Sequence, residues 1–448
     1  MLDPAAATDR TLALVEAARR AGADAAEAIY HGDAALAVNV RLGALEDVER
    51  AEGEELGLRL FIGRRSASVS TGDPSAAGMA ALVERAVAMA RVATEDAFAG
   101  LAPADRLMQG PVADLDLDDG GAADPETLRA EALAAEDAAR GVAGVTNSEG
   151  ASASVSRVIV AHATSTGFAG AYRMTGHGRS ASVLAGEGAR MQRDYASHSA
   201  RHRSDLEAAD AIGRRAGERA VARLDPRLPP AGRMPVILDR RVSTSLIGHL
   251  LGAIAGSAIA RGTSLLLDKL GQPVMAPGVS ILDDPHRPRG LRSRPFDGEG
   301  LPTHASAIVD AGILTGWLLD SASARQLGLE PTGHAARGGA GAPGTSASNV
   351  HMTAGTRSVD AMIADMDRGV IVTELMGQGV NPVTGDYSRA GAGYLVERGE
   401  IVGAAAGFTI AGNVKDMLMA LEPATDLIWQ RGIEAPSVLI DGMTVAGG

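Results

Sequence analysis

The chain contains no cysteine and few aromatic residues. Among its 448 residues there are no Cys, and Phe, Trp and Tyr together make up 3%. Without cysteine the protein can form neither disulfides nor thiolate metal ligands, and it has no thiolate nucleophile. Because the hydrophobic content is nevertheless 46%, the predicted cores are built from Ala, Leu, Val and Ile.

Positive charge and long apolar runs are also scarce. The chain has 42 basic and 55 acidic residues, a net charge of −13, which argues against nonspecific nucleic-acid binding and against docking on an anionic membrane. The longest apolar stretch, residues 246–260, is too short to span a bilayer. The N-terminus carries Asp3 and Asp9 instead of the apolar core of a secretory signal. We therefore expect a cytoplasmic protein with neither nucleic acid nor membrane as a partner.

The periodicity of the chain predicts an α+β protein in two lobes. The predicted helices are 10–21 (with Asp9 as N-cap), 76–93, 125–140, 206–222, 246–260 and 414–421, and strand-like alternation fills most of the intervals. Leu228-Pro229-Pro230 is the best linker candidate. We expect an N-terminal domain over 1–227 with curved antiparallel sheets. A mostly antiparallel C-terminal β domain with packed helices would then cover 231–448.

The helix predicted over 246–260 resembles a metal-binding helix, but it lacks the metal ligands. A zinc peptidase helix needs two histidines about one turn apart and a Glu beside the first as general base. Here His249 is followed by Leu250, and Ala253 and Ile254 stand where a second ligand would be needed. We predict no metal and no catalytic residue at this degenerate position, which comprises Gly248, His249 and Ala253. His249 is then either a remaining ligand or proton shuttle, or a histidine that lines a helix–sheet contact or a subunit seam.

Three other segments offer weaker candidates. His198 and His202 have ligand spacing, but Arg201 and Arg203 beside them would repel a cation. The acidic run 114–119 lacks the Gly and Glu register of a calcium loop and is expected to be a short edge strand with Leu115 and Leu117 inward. The Gly/Ala-rich segment Gly333–Ser348 is not a phosphate loop; it is predicted to be a flexible loop, with a mobile flap as the alternative.

The densest unusual segment begins at Asn381. Asn381-Pro382 and Gly385-Asp386 are turn dipeptides, and Thr384 and Ser388 can satisfy loop backbone. The segment is predicted to be an ordered loop that feeds a hairpin of strands 394–397 and 400–402. Its residues serve either a purely structural loop or contacts with a peptide or a subunit interface.

Several blocks of this sequence resemble the TldD/PmbA family, once called modulators of DNA gyrase, and the likeness is greatest to its PmbA (TldE) branch. The blocks are NPVTGDYSRAGAGYLVERGEIV, FTIAGNVKDML, GALEDVERAEGEELGLRLFIGRRSASVSTGD, GHLLGAIAGSAIARGTSLLLDKLGQPV and APSVLIDGMTVAGG. They are well separated and span essentially the whole chain.

The resemblance implies a two-lobed α+β protein in which TldD and TldE subunits pair into a zinc metalloprotease that trims unfolded peptides. The active subunit carries a His-Glu-x-x-x-His helix and a Cys ligand near its C-terminus. Here the helix position falls around Gly248–Ile254, and residues 425–434 contain no Cys. The resemblance therefore implies a noncatalytic subunit that binds no zinc itself, with zinc expected in a TldD-like partner.

Other functions stay open at this point. The chain could be a homodimeric, non-enzymatic peptide-binding protein, or a hydrolase with an unrecognised site. In a dimer, the small residues Gly252, Ala253, Ala255 and Gly256 could allow close helix approach between subunits. The alternative is that they pack on the sheet of their own chain.

Overall fold

The computed structural model describes residues 1–121, 123–377 and 379–447. It has an α+β fold with two lobes, as the sequence predicts. The helices are α1 (Pro4–Arg20), α2 (Ala76–Val92), α3 (Pro125–Arg140), α4 (Ala209–Ala222), α5 (Thr244–Ala253), α6 (Gly256–Ala260), α7 (Ser321–Leu327), α8 (Val359–Ala364) and α9 (Val414–Ala420). Short 3₁₀ helices lie at Ala104–Arg106, Gly188–Arg190 and Arg203–Asp205.

The strands of the N-terminal lobe are β1 (Ala25–Arg41), β2 (Ala44–Ile62), β3 (Arg65–Thr71), β4 (Val145–Thr164), β5 (Ala169–Ala185) and β6 (Gln192–Ala200). They form one antiparallel sheet of six strands in the order β3-β2-β1-β4-β5-β6. This order leaves β3 and β6 at the edges.

All four helices of this lobe cover the same face of the sheet. Ala28 and Val38 on β1 are both buried, the first under α1 and α2 and the second under α3 and α4. Since side chains alternate along a strand, residues an even number of positions apart share one face. The opposite face meets the C-terminal lobe at one end and carries small polar residues at the other.

Close packing of small residues joins α3 to α4. A Cβ added at Gly213 would overlap the carbonyl oxygen of Ala135, and one at Gly217 would contact that of Ala139. These glycines let the two helices approach more closely than any larger residue would allow. The abundance of Ala and Gly is thus used for contacts between helices.

The strands of the C-terminal lobe are β7 (Gly232–Leu238), β8 (Ile281–Asp283), β9 (Ser306–Asp310), β10 (Ile313–Leu314), β11 (Ala335–Ala336), β12 (Gly344–Thr345), β13 (Val350–Met352), β14 (Arg368–Met376), β15 (Asp386–Glu397), β16 (Glu400–Asn413), β17 (Leu421–Pro423), β18 (Ile433–Glu434) and β19 (Val438–Gly447). One sheet has the order β16-β15-β14-β7-β19-β17, and β16 also pairs with β19. Five strands therefore close on themselves, so this sheet offers no long free edge to a peptide. A second sheet follows the order β10-β9-β8-β13-β18, with a parallel β13–β18 pair, and β7 and β14 are also parallel.

Local signals explain most helix boundaries, and the exceptions have physical causes. Helix α3 starts at Pro125 because Asp124 accepts a hydrogen bond from the backbone of Thr127 (2.8 Å). The predicted start of α1 is wrong: the helix begins six residues earlier, where Asp3 caps it and Pro4 occupies the first turn. Asp9 lies inside the helix.

Two other predicted elements are wrong. The helix expected over 246–260 is interrupted at Ile254 and Ala255, where backbone hydrogen bonds join Ile254 and Gly256 to Leu318 (3.0 and 2.8 Å). Tertiary pairing thus takes two residues out of the continuous helix that the local pattern favours. The acidic segment 114–119 forms no strand among the described residues, although Leu115 and Leu117 are buried as expected. Within the residues that the structure describes, none of the helices has the length and apolar character needed to cross a bilayer.

Candidate functional site

Helix α5 presents one face to the core and one to solvent. Leu246, Ile247, Leu250 and Ala253 are buried, whereas Gly248 and Gly252 are exposed, with open space where a Cβ would stand. Gly256, after the break, is packed against Ser323 and Leu319. Of the small residues considered for a subunit contact, Ala253 and Gly256 therefore face their own chain, and Gly252 faces outward.

His249 lies at a contact between α5 and β15. Its ring meets that of Tyr387 edge-on, with centroids 6.1 Å apart. Burial, followed by the positive charge of Arg389, lowers the pKa of His249. Its Nε2 and the Tyr387 hydroxyl are buried and have no hydrogen-bond partner within the described residues. The imidazole is therefore neutral near pH 7 and sits in an environment typical of a helix–strand contact.

These residues do not fit a zinc ion. A zinc site needs three or four His, Asp, Glu or Cys ligands about 2.0–2.3 Å from the metal. The described part of the chain contains no group of three such side chains arranged to hold a metal. His249 meets the ring of Tyr387 and is acted on by the positive charge of Arg389. A cation next to the only imidazole would oppose a bound metal ion.

The segment Asn381–Ser388 lies next to α5, so the structure brings the two predicted sites together. The carbonyl of Pro382 accepts a hydrogen bond from the backbone of Leu265 (2.9 Å), just beyond α6, and Tyr387 supplies the contact to His249. Nothing in the spacing of these residues, more than 110 positions apart, indicates this proximity. It depends on the packing of α5 against β15.

The polar side chains of this segment hold its own turn together. Asn381 Oδ1 accepts from the backbone of Val383 and Thr384 (2.9 and 3.2 Å), and the Thr384 hydroxyl donates to Asp386 (2.7 Å). The φ of Gly385 is +85°, and a Cβ there would crowd Asn413 at the start of α9. The backbone of Ser388 donates to Gly379 (2.7 Å). This pattern accounts for the turn residues structurally, and a contact with peptide or partner at the exposed surface of the segment stays a prediction.

The paired histidines and the acidic run are used within the chain. His198 Nδ1 accepts from the backbone of Glu207 (3.0 Å), and His202 Nε2 lies 3.0 Å from the carbonyl oxygen of Asp116. The two imidazoles thus have different partners. In the acidic run, Asp116 pairs with Arg289 at 2.5 Å and Asp119 with His177 at 2.8 Å. These two carboxylates, which a calcium ion would need, are thus engaged by side chains of the chain itself.

A buried charge cluster joins the lobes, and no sequence pattern indicates it. Glu27 on β1, 3% exposed, contacts Arg59 on β2 (3.3 Å), His162 on β4 (3.5 Å) and Arg337. Burial alone would raise the pKa of Glu27, but the charge of Arg337 and the neighbouring His162 and Arg59 hold it far below its usual value. Deep burial of one carboxylate is thus compensated by two guanidinium groups.

Arg337 belongs to the Gly/Ala-rich segment that the sequence predicts to be a flexible loop. Its flanks form the short β11–β12 ribbon, Ala335 pairing with Thr345 and Ala336 with Gly344. The Arg337 side chain is 3% exposed. The segment therefore holds the N-terminal sheet by a buried ion pair, and Ala340 at its tip lies close to Gly57 of β2. The expectation of a wholly flexible loop is wrong because one buried arginine fixes its base.

Comparisons with known proteins agree with this architecture. Three models of the PmbA/TldA metallopeptidase family match: domain 1 over residues 26–90, the central domain over 118–224 and the C-terminal domain over 231–447. Metalloprotease PmbA of Escherichia coli O157:H7 is 38% identical over 95% of this chain and 92% of its own length. Among solved structures, a Bacteroides thetaiotaomicron protein, a candidate modulator of DNA gyrase, superposes with a TM-score of 0.90 at 24% identity, covering 98% of each chain. TldE from Thermococcus kodakarensis superposes with a TM-score of 0.87 at 21% identity, covering 98% of this chain and all of that one.

The three matched segments follow one another along nearly the whole chain, and the relative from E. coli O157:H7 matches it over nearly its whole length. Both findings concern the complete two-lobed architecture, not a single shared domain. The chain therefore belongs to the PmbA/TldD metallopeptidase family.

Proposed function

We propose that this chain is the noncatalytic subunit of a PmbA/TldD-type metallopeptidase, and that a TldD-like partner supplies the zinc and the general base. The observation that carries the proposal is the ligand set of α5. The helix offers one imidazole, His249, which faces Tyr387 and Arg389 instead of further ligands. A member of a metallopeptidase family that lacks the donors can still contribute to the reaction by binding and enclosing the substrate.

Unfolded peptides are the substrates that such an assembly would take. A peptide in extended conformation can pair with an exposed strand edge, which gives affinity through backbone hydrogen bonds with little sequence preference. Because the C-terminal barrel is closed, the free edges in the described chain that suit this role are β3 and β6 of the N-terminal sheet. A folded substrate has no free backbone to offer and would be excluded.

The exposed face of α5 is the proposed contact with the partner. Gly248 and Gly252 leave space for close approach. Val383 (50% exposed) is an exposed apolar side chain in the segment that reaches α5, and Met376 (48%) is another at the end of β14, just before that segment in the chain. An apolar surface beside a smooth helix face is typical of a subunit contact.

The proposal is tested by cleavage of a fluorogenic unstructured peptide. Three samples are compared: this chain, the same organism's homologue that contains His-Glu-x-x-x-His, and their mixture. We expect cleavage in the mixture, its loss on adding a chelator, and no stoichiometric zinc in this chain by elemental analysis. Cleavage by this chain alone would overturn the proposal. Equal cleavage by the homologue with and without it would show that the chain is not a required subunit and would favour a separate, homodimeric peptide-binding protein.

The contact surface is tested by a bulky substitution. Gly252→Leu is expected to abolish the complex with the homologue, measured by light scattering after gel filtration, because the new side chain fills the space at the helix face. Glu218→Leu, on the exposed face of α4, is the matched control and should leave the complex intact. A Gly252→Leu protein that still forms the complex would place the contact elsewhere.

A further inference from the structure

An arginine-rich cleft lies between the edge strand of the N-terminal sheet and the C-terminal lobe. The cavity, about 210 Å³, has Tyr195, Ser197, His198 and Ser199 of β6 on one side and residues 428–435 on the other. Five arginines line it: Arg215, Arg219, Arg240, Arg241 and Arg431. In a chain of net charge −13, such a concentration of cations produces a local positive potential, which attracts anions.

Two of these arginines are neutralised by neighbouring carboxylates. Arg241 binds Asp194 with both terminal nitrogens (2.5 and 3.1 Å), and Arg215 pairs with Glu207 at 2.7 Å. These pairs fix one wall of the cleft. They add little net charge to it.

The other three arginines have no carboxylate within 4.0 Å in the described part of the chain. Arg219 donates to the carbonyl of Tyr195 (3.1 Å) and Arg431 to that of Arg241 (3.3 Å), so both are held in place by neutral acceptors. Burial, and then the charge of Arg241, lowers the pKa of Arg219. The guanidinium groups of Arg241 and Arg215 thus disfavour the charge of Arg219, while Asp194 and Asp239 offset part of this repulsion. An added anion would relieve the remainder.

One carboxylate, Glu434, is among the lining residues, and it offsets part of the charge of Arg431. Glu434 is 5% exposed and accepts hydrogen bonds from the backbone of Gln430 and Arg431. Burial raises its pKa. The Glu434 carboxylate thus accepts hydrogen bonds from its own loop, at Gln430 and Arg431.

The free edge of β6 runs along the same cleft. Because Arg219 reaches the carbonyl of Tyr195 from outside the sheet, the peptide groups of Tyr195 point away from β5. Alternate residues of a strand point the same way, so those of Ser197 and Ser199 also face outward. The peptide groups of Tyr195 are already bonded, its N–H to Asp194 (2.7 Å) and its carbonyl to Arg219. The groups of Ser197 and Ser199 are therefore the ones that can pair with an extended chain, and Arg219, Arg240 and Arg431 then lie beside it.

We propose that this cleft binds a carboxylate of an extended peptide that pairs with β6. The planar guanidinium fork matches a carboxylate in two-point hydrogen bonding. The carboxylate can belong to the C-terminus of the peptide or to an Asp or Glu side chain. The inference rests on the proposed function and adds to it a preference for acidic or C-terminal segments of unfolded substrates.

The test is direct binding of fluorescent peptides to the intact chain, followed by anisotropy. Four unstructured peptides of one parent sequence are compared: the free C-terminal acid, the C-terminal amide, the amide with two internal Asp residues, and the amide with two Asn residues at the same positions. We expect at least one acidic peptide to bind about tenfold more tightly than its neutral counterpart. Which one does so identifies the source of the carboxylate. Equal affinities for acidic and neutral peptides would overturn the proposal.

Three variants connect the preference to the cleft. Arg219→Gln and Arg240→Gln should each remove most of the acid preference. Arg431→Gln, in an exposed loop position where misfolding is not expected, should weaken it in the same direction. Arg214→Gln, exposed on α4 and paired with Asp210, is the matched control and should retain it. An acid preference that survives all three cleft variants would also overturn the proposal.

Failure of this inference and failure of the proposed function give different results. If the mixture with the zinc-containing homologue cleaves acidic and neutral peptides at equal rates, and Arg219→Gln changes nothing, the carboxylate site is wrong while the noncatalytic-subunit role stands. If the mixture gains no activity from this chain, but the chain alone binds acidic peptides through Arg219, the site stands and the role is wrong.

Discussion

Glu299 provides a quantitative test of the interface between the lobes. Its side chain is 3% exposed and accepts hydrogen bonds from the backbone and hydroxyl of Ser321 (2.9 and 2.7 Å). Burial, and then the negative charge of Asp297, raises its pKa from 4.5 to about 7, and Glu27 adds to this effect. Below about pH 7 the folded protein thus keeps this side chain as a neutral carboxylic acid. At alkaline pH the side chain ionises, and its ionisation costs free energy because the group is buried.

The sign of the effect follows from proton linkage. Between pH 4.5 and about 7 the folded protein binds a proton at Glu299 that the unfolded chain has released, so the free energy of unfolding falls as pH rises through this range. At about 1.4 kcal/mol for each unit of pKa, the loss approaches about 3 kcal/mol above pH 7. Glu299→Gln keeps an amide oxygen to accept both bonds from Ser321 and cannot ionise. It should therefore be more stable than the wild type by about 3 kcal/mol at pH 8 and about equal to it at pH 4.5.

The assay is thermal unfolding of the wild type and Glu299→Gln over this pH range. With about 2.1 cal/mol/K per residue, 3 kcal/mol raises the Tm by about 3 °C if the 448 residues unfold together. The pKa of Glu27 is lowered in the folded protein, so its contribution to the pH dependence has the opposite sign. This contribution is present in both proteins and cancels when their free energies of unfolding are subtracted. Glu126→Gln, an exposed substitution (84% exposed side chain), should give a curve parallel to the wild type. A Glu299→Gln curve parallel to the wild type, or lower at pH 8, would refute the reasoning.

Two further predictions concern packing and buried charge. Gly213→Ala places a Cβ onto the carbonyl oxygen of Ala135 and should lower the free energy of unfolding by about 2 kcal/mol. Gly248→Ala, in open space on α5, should raise the free energy of unfolding by up to about 1 kcal/mol. Denaturant titration distinguishes the two variants, and equal effects would contradict the packing argument. Arg337→Met leaves Glu27 with one guanidinium and should cost about 3 kcal/mol. Adding Glu27→Gln should restore part of that stability, which a double-mutant cycle measures, and simple additivity would show that the ion pair is not coupled.

Local signals determined much of the secondary structure. Asp124-Pro125 marks the start of α3 and the apolar stripe of α2 marks its buried face, and both depend on residues within a few positions of each other. The break between α5 and α6 could not be read in this way. It is caused by backbone hydrogen bonds to Leu318, more than 60 positions away.

The features of the candidate site likewise separate into those set by neighbouring residues and those set by residues distant in the chain. The absence of a second histidine or a glutamate beside His249 is a property of neighbouring residues, and the sequence alone contains it. The contact of His249 with Tyr387 depends on the packing of α5 against β15, and the charge cluster around Glu27 depends on the docking of two lobes.

The sequence by itself therefore determined the two-lobed α+β class, the family resemblance and the incomplete ligand set of α5, because each rests on residue type and short-range spacing. Only the tertiary structure decided that Arg337 is buried against Glu27 and that three arginines without carboxylate partners in the described chain line the edge of β6. An isolated arginine in a sequence has the same chemistry in either setting. Its partners and its solvation, which set its energy and its role, come from residues that the fold brings together from distant parts of the chain.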